Sequence, residues 1–275
     1  MSGSAPVSQL AGWRREPFSW QGVTHDCYER GEGPGVVLLP ELPGISPEVT
    51  GLAQHLVDSG FTVVVPSLYG TPGAPAFGAR AFVTMARACV SREFLAFATG
   101  GRRPVADYLR ALAREVAART PGAGVGVVGL CFSGGFALAA AVDDTVLAAV
   151  MSQPSLPLPL TKACRADAGL SEGELGEVVR RTREDDLCVL GMRFTGDALV
   201  PAERFDTLRR RLGSAFEYIE LDSRPGNPDG FGPRAHSVIT HEVRETPGHP
   251  AFEARERTVA FLRRQLAPTT APVAD

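Results

Sequence analysis

The sequence predicts an α/β fold in which a mostly parallel sheet carries helices on both faces. Three observations predict it. Six short apolar runs, rich in Val, Leu and Phe and bounded by Gly, Pro or Asp, have the composition of strands buried on both faces. Helical patterns separate several of them, and strand–helix alternation of this kind builds parallel sheets. The apolar run Val125 to Val128 leads through Gly129-Leu-Cys-Phe-Ser-Gly-Gly135 into a small-residue helix, Phe136 to Val142, which makes a sharp strand-to-helix turn.

In chain order, Phe18 to Arg30 mixes polar and apolar residues and reads as an antiparallel edge strand or hairpin. The buried runs are Val36 to Leu39, Phe61 to Val65, Val125 to Val128, Val146 to Met151, Cys188 to Phe194 and Phe216 to Leu221. The helical patterns are Pro47 to Ser59, Val105 to Arg119, Phe136 to Val142, Glu203 to Leu212 and Phe252 to Leu266. Residues 1–12 and the Pro/Thr/Ala-rich tail Ala267 to Asp275 are expected to be poorly ordered, leaving 13–266 as one domain. Two connections, Gly70 to Arg103 and Pro154 to Asp186, are longer than a compact α/β unit needs. Within the second, Pro154-Ser-Leu-Pro-Leu-Pro159 is expected to be extended. Ser171-Glu-Gly-Glu174 has the capping-box pattern that opens a helix, here running to about Arg183.

Composition narrows the function. A chain of 275 residues, 44% hydrophobic, can bury roughly three quarters of its unfolded surface in one large domain. With 28 basic and 31 acidic residues the net charge is -3, and no cationic block could track phosphates, so nucleic acid is excluded as an expected partner. The start, Met1 to Ala11, lacks the charged-then-apolar pattern of a secretory signal, and no apolar stretch is long enough to span a bilayer. A cytoplasmic protein without a membrane partner is expected. The cysteines at 27, 89, 131, 164 and 188 form no C-x-x-C pair, which argues against zinc and redox motifs and suits a reducing compartment. The sequence does not distinguish a monomer from a homodimer.

The turn at 129–135 sets Cys131 where α/β-hydrolases hold a nucleophile: the side chain is exposed and the next backbone N–H is left to stabilise an oxyanion. Ser133 is the weaker candidate, because an elbow centred there would need glycine at 131. A thiol nucleophile needs a base and a group that orients the base. After the run Cys188 to Phe194 comes Thr195-Gly-Asp197, an acid at a strand's carboxyl end, where catalytic groups gather in open α/β sheets. After Phe216 to Leu221 comes the Gly/Pro-rich loop Ser223 to Ala235, ending in His236. Nucleophile, acid, histidine is the hydrolase order. Structural roles compete: a buried small hydrophobe for Cys131, a helix cap for Asp197, and His241 or His249 as the base instead of His236.

With these motifs the chain resembles the dienelactone hydrolase family from about Gly31 to Leu266. The resemblance rests on Gly129-Leu-Cys131-Phe-Ser-Gly-Gly135, Gly196-Asp197 with Val200-Pro201, His236, and Leu39-Pro-Glu41-Leu-Pro-Gly44. It implies an α/β-hydrolase fold, a Cys131–His236–Asp197 triad, no cofactor or metal, and a small-molecule ester or lactone as substrate. It also implies that Glu41 interacts with the resting thiol and that the backbone N–H groups of Leu42 and Phe132 form the oxyanion hole.

Two departures concern the substrate. The family's substrate-carboxylate arginine, four residues after the histidine, is Thr240 here; Arg80, Arg87, Arg92 and Arg234 are the alternative cations. Asp197 lies 66 residues beyond Cys131, a long interval whose excess falls in Pro154 to Asp186; together with Gly70 to Arg103 it is expected to form a lid or pocket wall. A non-hydrolytic step on the same fold, such as a cyclisation or rearrangement, and a silent small-molecule-binding module are the rival readings.

Overall fold

In a computed structural model of the chain, residues 4–76 and 104–267 are described. Among them, β1 (Arg14–Trp20), β2 (Val23–Arg30), β3 (Gly35–Leu39), β4 (Thr62–Pro66), β5 (Val125–Leu130), β6 (Val146–Ser152), β7 (Cys188–Phe194) and β8 (Phe216–Leu221) form one sheet. Its order is β1-β2-β4-β3-β5-β6-β7-β8. From β4 to β8 all neighbours are parallel, while β1 and β2 pair antiparallel and attach to β4 antiparallel.

The edge hairpin starts earlier than its apolar content suggests, at Arg14. It turns at Gln21-Gly22, where both residues have positive φ (46° and 82°), as a two-residue hairpin turn that follows strand twist requires. Charge keeps this edge from templating further strands: Arg14 pairs with Glu29 at 2.8 Å and Arg15 with Asp26 at 2.5 Å. The centre is the opposite case, with every residue of β3, β4 and β5 buried.

Helices cover both faces. On one face α2 (Pro104–Arg119), α3 (Gly134–Ala140), α5 (Glu172–Glu184) and α6 (Ala202–Leu212) bury Tyr108, Leu112, Phe136, Val178, Phe205 and Leu208 against Val37, Leu39 and Val127. On the other, α1 (Pro47–Asp58) and α7 (Pro250–Leu266) bury Leu52, Leu56, Phe261 and Leu262 against Val36, Leu38 and Val128. The period-2 alternation of β3 and β5 thus feeds two cores, as runs with apolar side chains on both faces must.

Residues 4–12, expected to be loose, lie on α1. The Ser8 N–H donates to the Pro47 carbonyl at 3.0 Å, and a Cβ on Gly51 would lie 2.5 Å from the Pro6 carbonyl oxygen. The bare glycine lets two backbones meet, an interaction without periodicity or composition to announce it.

The segment after β6 is a fastened wall. The capping box at Ser171 forms, with Glu174 accepting from the Ser171 N–H at 3.1 Å, and opens α5, the crossover helix from β6 to β7. A short helix, α4 (Lys162–Ala166), precedes it. Arg204, fully buried in α6, donates to the carbonyls of Pro154 at 2.6 Å, Asp167 at 2.7 Å, Cys164 at 3.1 Å and Pro157. Burial pulls its pKa down to about 10, still high enough to keep the charge at neutral pH. Arg181, equally buried, clasps the carbonyls of Ala141 at 2.7 Å and Val146 at 2.9 Å. No helix among the described residues is long and apolar enough to cross a membrane.

Candidate active site

β5 ends in a backbone conformation that ordinary residues avoid. Cys131 has φ of 50° and opens a one-turn 3-10 segment, Cys131–Ser133, that runs into α3. Such a conformer costs roughly 1–3 kcal/mol and persists only where the surroundings enforce it. They do so through close packing: a Cβ on Gly129 would lie 2.5 Å from the Ser133 carbonyl oxygen, and one on Gly134 would lie 2.8 Å from Pro154 Cα. Ser133, fully buried, has its Oγ within 3.0 Å of the Leu39 carbonyl and 2.9 Å of the Pro40 carbonyl. It is the rivet between the elbow and the loop after β3.

β7 and the loop after β8 deliver the other two groups. Asp197 Oδ2 lies 2.5 Å from His236 Nδ1, and Asp197 Oδ1 accepts from the Leu199 N–H at 3.0 Å. The helix-cap alternative for Asp197 is not realised, because α6 is capped at Pro201 with no side-chain bond. His236 Nε2 is buried and has no hydrogen-bond partner. Burial disfavours charge on this ring, but the neighbouring Cys131 sulfur and the bond to Asp197 outweigh it and hold the His236 pKa well above 6.5. Of the rival histidines, His249 is the residue before α7, packed edge-on against Phe231 at 5.1 Å, and His241 lies 3.9 Å from Glu41 and 3.8 Å from Glu48. Neither reaches Asp197 in the hydrogen bonds of the described residues.

The loop after β3 carries Glu41 and Leu42. A Cβ on Gly44 would lie 2.5 Å from the Tyr69 carbonyl oxygen and one on Gly70 would strike the Pro43 carbonyl, so the segments 40–44 and 69–70 are in backbone contact. The Tyr69 hydroxyl donates to the Pro40 carbonyl, and its ring stands edge-on to Phe132 with centroids 6.4 Å apart. Among the described residues the Leu42 N–H makes no hydrogen bond, as an oxyanion donor in a resting enzyme requires.

Glu41 differs from the expectation. Its carboxylate, 3% exposed, accepts from Ser237 Oγ at 2.6 Å, Thr240 Oγ1 at 2.5 Å and Gln153 Nε2 at 3.3 Å. The Cys131 thiol is not a partner; it faces Ser155 Oγ at 3.5 Å instead. Thr240, where the resemblance leads one to look for a substrate-binding arginine, is buried against this glutamate. Arg234 is exposed, and Arg80, Arg87 and Arg92 lie outside the described residues. Sequence reasoning missed Ser155, Gln153, Ser237 and Thr240. Serine, threonine and glutamine are common in loops, and only the approach of the loops after β3, β6 and β8 turns them into one network. Among the described residues no cluster of His, Cys, Asp and Glu could hold a metal ion.

The sheet order and the nucleophile-type elbow after β5 are those of the α/β-hydrolase class. Within that class the chain belongs to the dienelactone hydrolase family, whose model matches residues 24–263, and it is a hydrolase acting on esters or lactones. Solved structures agree on the fold. A dienelactone hydrolase from Anabaena variabilis superposes with a TM-score of 0.58 at 18% identity, covering 92% of this chain and 98% of the other. A dienelactone hydrolase-like promiscuous phosphotriesterase from metagenomic libraries gives 0.60 at 16%, covering 96% and 100%. The thioesterase domain from the curacin biosynthetic pathway gives 0.51 at 10%, covering 92% and 99%. A search of curated proteins found no match.

Proposed function

We propose that the enzyme cleaves an ester, lactone or thioester through an acyl-enzyme on Cys131. The observation that carries this is the short bond from Asp197 to His236 Nδ1, which fixes the ring so that Nε2, otherwise unpartnered, serves the thiol. The thiol proton is held on His236 when sulfur attacks the carbonyl carbon. The negative oxygen of the tetrahedral intermediate is received by the Leu42 and Phe132 N–H groups, each worth a few kcal/mol by analogy with other oxyanion donors. Collapse expels the alkoxide or thiolate, protonated by His236. Water, deprotonated by the same ring, then releases the acid and regenerates the thiol.

The substrate side follows from Thr240. Thr240, four positions beyond the histidine, is committed to Glu41 and offers no positive charge to a substrate carboxylate. The test is incubation with p-nitrophenyl acetate followed by intact mass. The wild type is expected to carry one acetyl group, mapped to Cys131, and Cys131→Ala none; an adduct that persists in Cys131→Ala would overturn the assignment.

A further inference from the structure

Among the hydrogen bonds of the described residues the side-chain partner of the Cys131 thiol is Ser155, and not the glutamate. Ser155 Oγ stands 3.5 Å from Cys131 Sγ, and the Ser155 N–H donates to the Cys131 carbonyl at 3.1 Å. The serine, 3% exposed, has no other hydroxyl partner among the described residues. A buried hydroxyl without a hydrogen bond is costly, so this one is committed to sulfur. It cannot drift: Arg204 holds the neighbouring Pro154 carbonyl at 2.6 Å, and Gly134 leaves no gap beside Pro154.

From this geometry we propose that Ser155 is the positioning residue of the Cys131 thiol, and that Glu41 acts instead as the anchor of the histidine's loop. The inference rests on the reading of Cys131 as nucleophile. In the resting state the hydroxyl and thiol share one hydrogen bond. When the thiol proton passes to His236 Nε2, the hydroxyl rotates to donate to the thiolate. A donor stabilises the anion, whereas a carboxylate in that place would oppose it. Glu41 bonds the segment after the base: Ser237 and Thr240 lie one and four residues beyond His236, so its bonds to them fix the backbone that carries the base.

The experiment is the pH dependence of iodoacetamide alkylation, read at Cys131 by peptide mass spectrometry in wild type, Ser155→Ala, Ser155→Gly, Ser155→Thr and Glu41→Gln. p-Nitrophenyl acetate kinetics are measured on the same proteins. Ser155→Ala is expected to slow alkylation at neutral pH by roughly fivefold, the loss of one hydrogen bond to an anion, and to move the profile to higher pH. Its kcat falls with KM nearly unchanged, and Ser155→Thr recovers most of both. Glu41→Gln lowers kcat but leaves the alkylation profile in place. Ser155→Gly also removes the hydroxyl, so a folding defect in one variant leaves the other as the readout. A Ser155→Ala profile superimposable on wild type overturns the proposal, as does a Glu41→Gln profile displaced to lower pH, the sign of an anion removed from beside the thiol. Failure of the acyl-enzyme reading is separate: it shows as no acetyl adduct on wild-type Cys131, whatever the alkylation profiles do.

Discussion

The turn after β5 and the loop after β3 meet at Ser133, yet they are held by opposite means. The turn is shaped by volume: Gly129 and Gly134 sit where a methyl group would strike backbone, and the positive φ of Cys131 follows from that packing. The loop is shaped by polarity: a buried carboxylate satisfied by a serine, a threonine and a glutamine from two other loops. Steric constraint holds the half-buried Cys131 sulfur without tying it to the buried carboxylate. Polar constraint gathers distant segments but consumes every lone pair it uses, which is why Glu41 is unavailable to the thiol.

The largest effects should come from the groups that serve the thiol of the turn. Replacing His236 with Ala is expected to lower kcat/KM for p-nitrophenyl acetate by at least about 10³-fold, and Asp197→Asn by about 10²- to 10⁴-fold, since the ring loses its tautomer. An Asp197→Asn enzyme within a factor of about two of wild type would remove Asp197 from the machinery.

Next is the turn itself. Gly134→Ala forces a Cβ to 2.8 Å from Pro154 Cα, a backbone atom that cannot swing away. Overpacking of this kind costs ~1–3 kcal/mol, visible as a Tm lowered by several degrees, with activity lost in parallel because Pro154 carries Ser155. The polar region should yield less. Glu41→Gln keeps the volume and one acceptor oxygen, and the hydroxyls of Ser237 and Thr240 can rotate, so a cost of ~1 kcal/mol in thermal or urea unfolding is expected. If Glu41→Gln destabilised more than Gly134→Ala, the contrast between the two regions would be inverted.

That contrast also explains what could be read from the sequence. The elbow was legible because its steric demand is met within seven consecutive residues, and the sheet because buried strands need contiguous apolar runs. Asp197 and His236 were legible by order, each following a recognisable strand. Glu41 was found through its motif, but its partners were not, because Gln153, Ser237 and Thr240 lie 112, 196 and 199 positions away and nothing local marks them. The anchoring of 154–167 was not legible for the same reason: Arg204, which fastens it, lies in α6 and looks like any helix-surface arginine until its carbonyl partners are seen.

The smallest effect, and the finest test of the turn against its surroundings, is the pH dependence of stability. The folded-state pKa of His236 lies well above 6.5, burial being outweighed by the Cys131 sulfur and Asp197. A group raised in this way stabilises the fold fully below its unfolded pKa, and the contribution fades as pH rises through the folded value. The Tm difference between wild type and His236→Gln should thus be greatest near the acid end of a series from about pH 5 to about pH 9 and shrink towards the alkaline end. In Cys131→Ser the part owed to the sulfur disappears while the Asp197 part remains, so the difference should keep its sign with a smaller amplitude. A difference that instead grew with pH would mean that burial dominates and His236 is held neutral, and the turn would then present its thiol to an uncharged base.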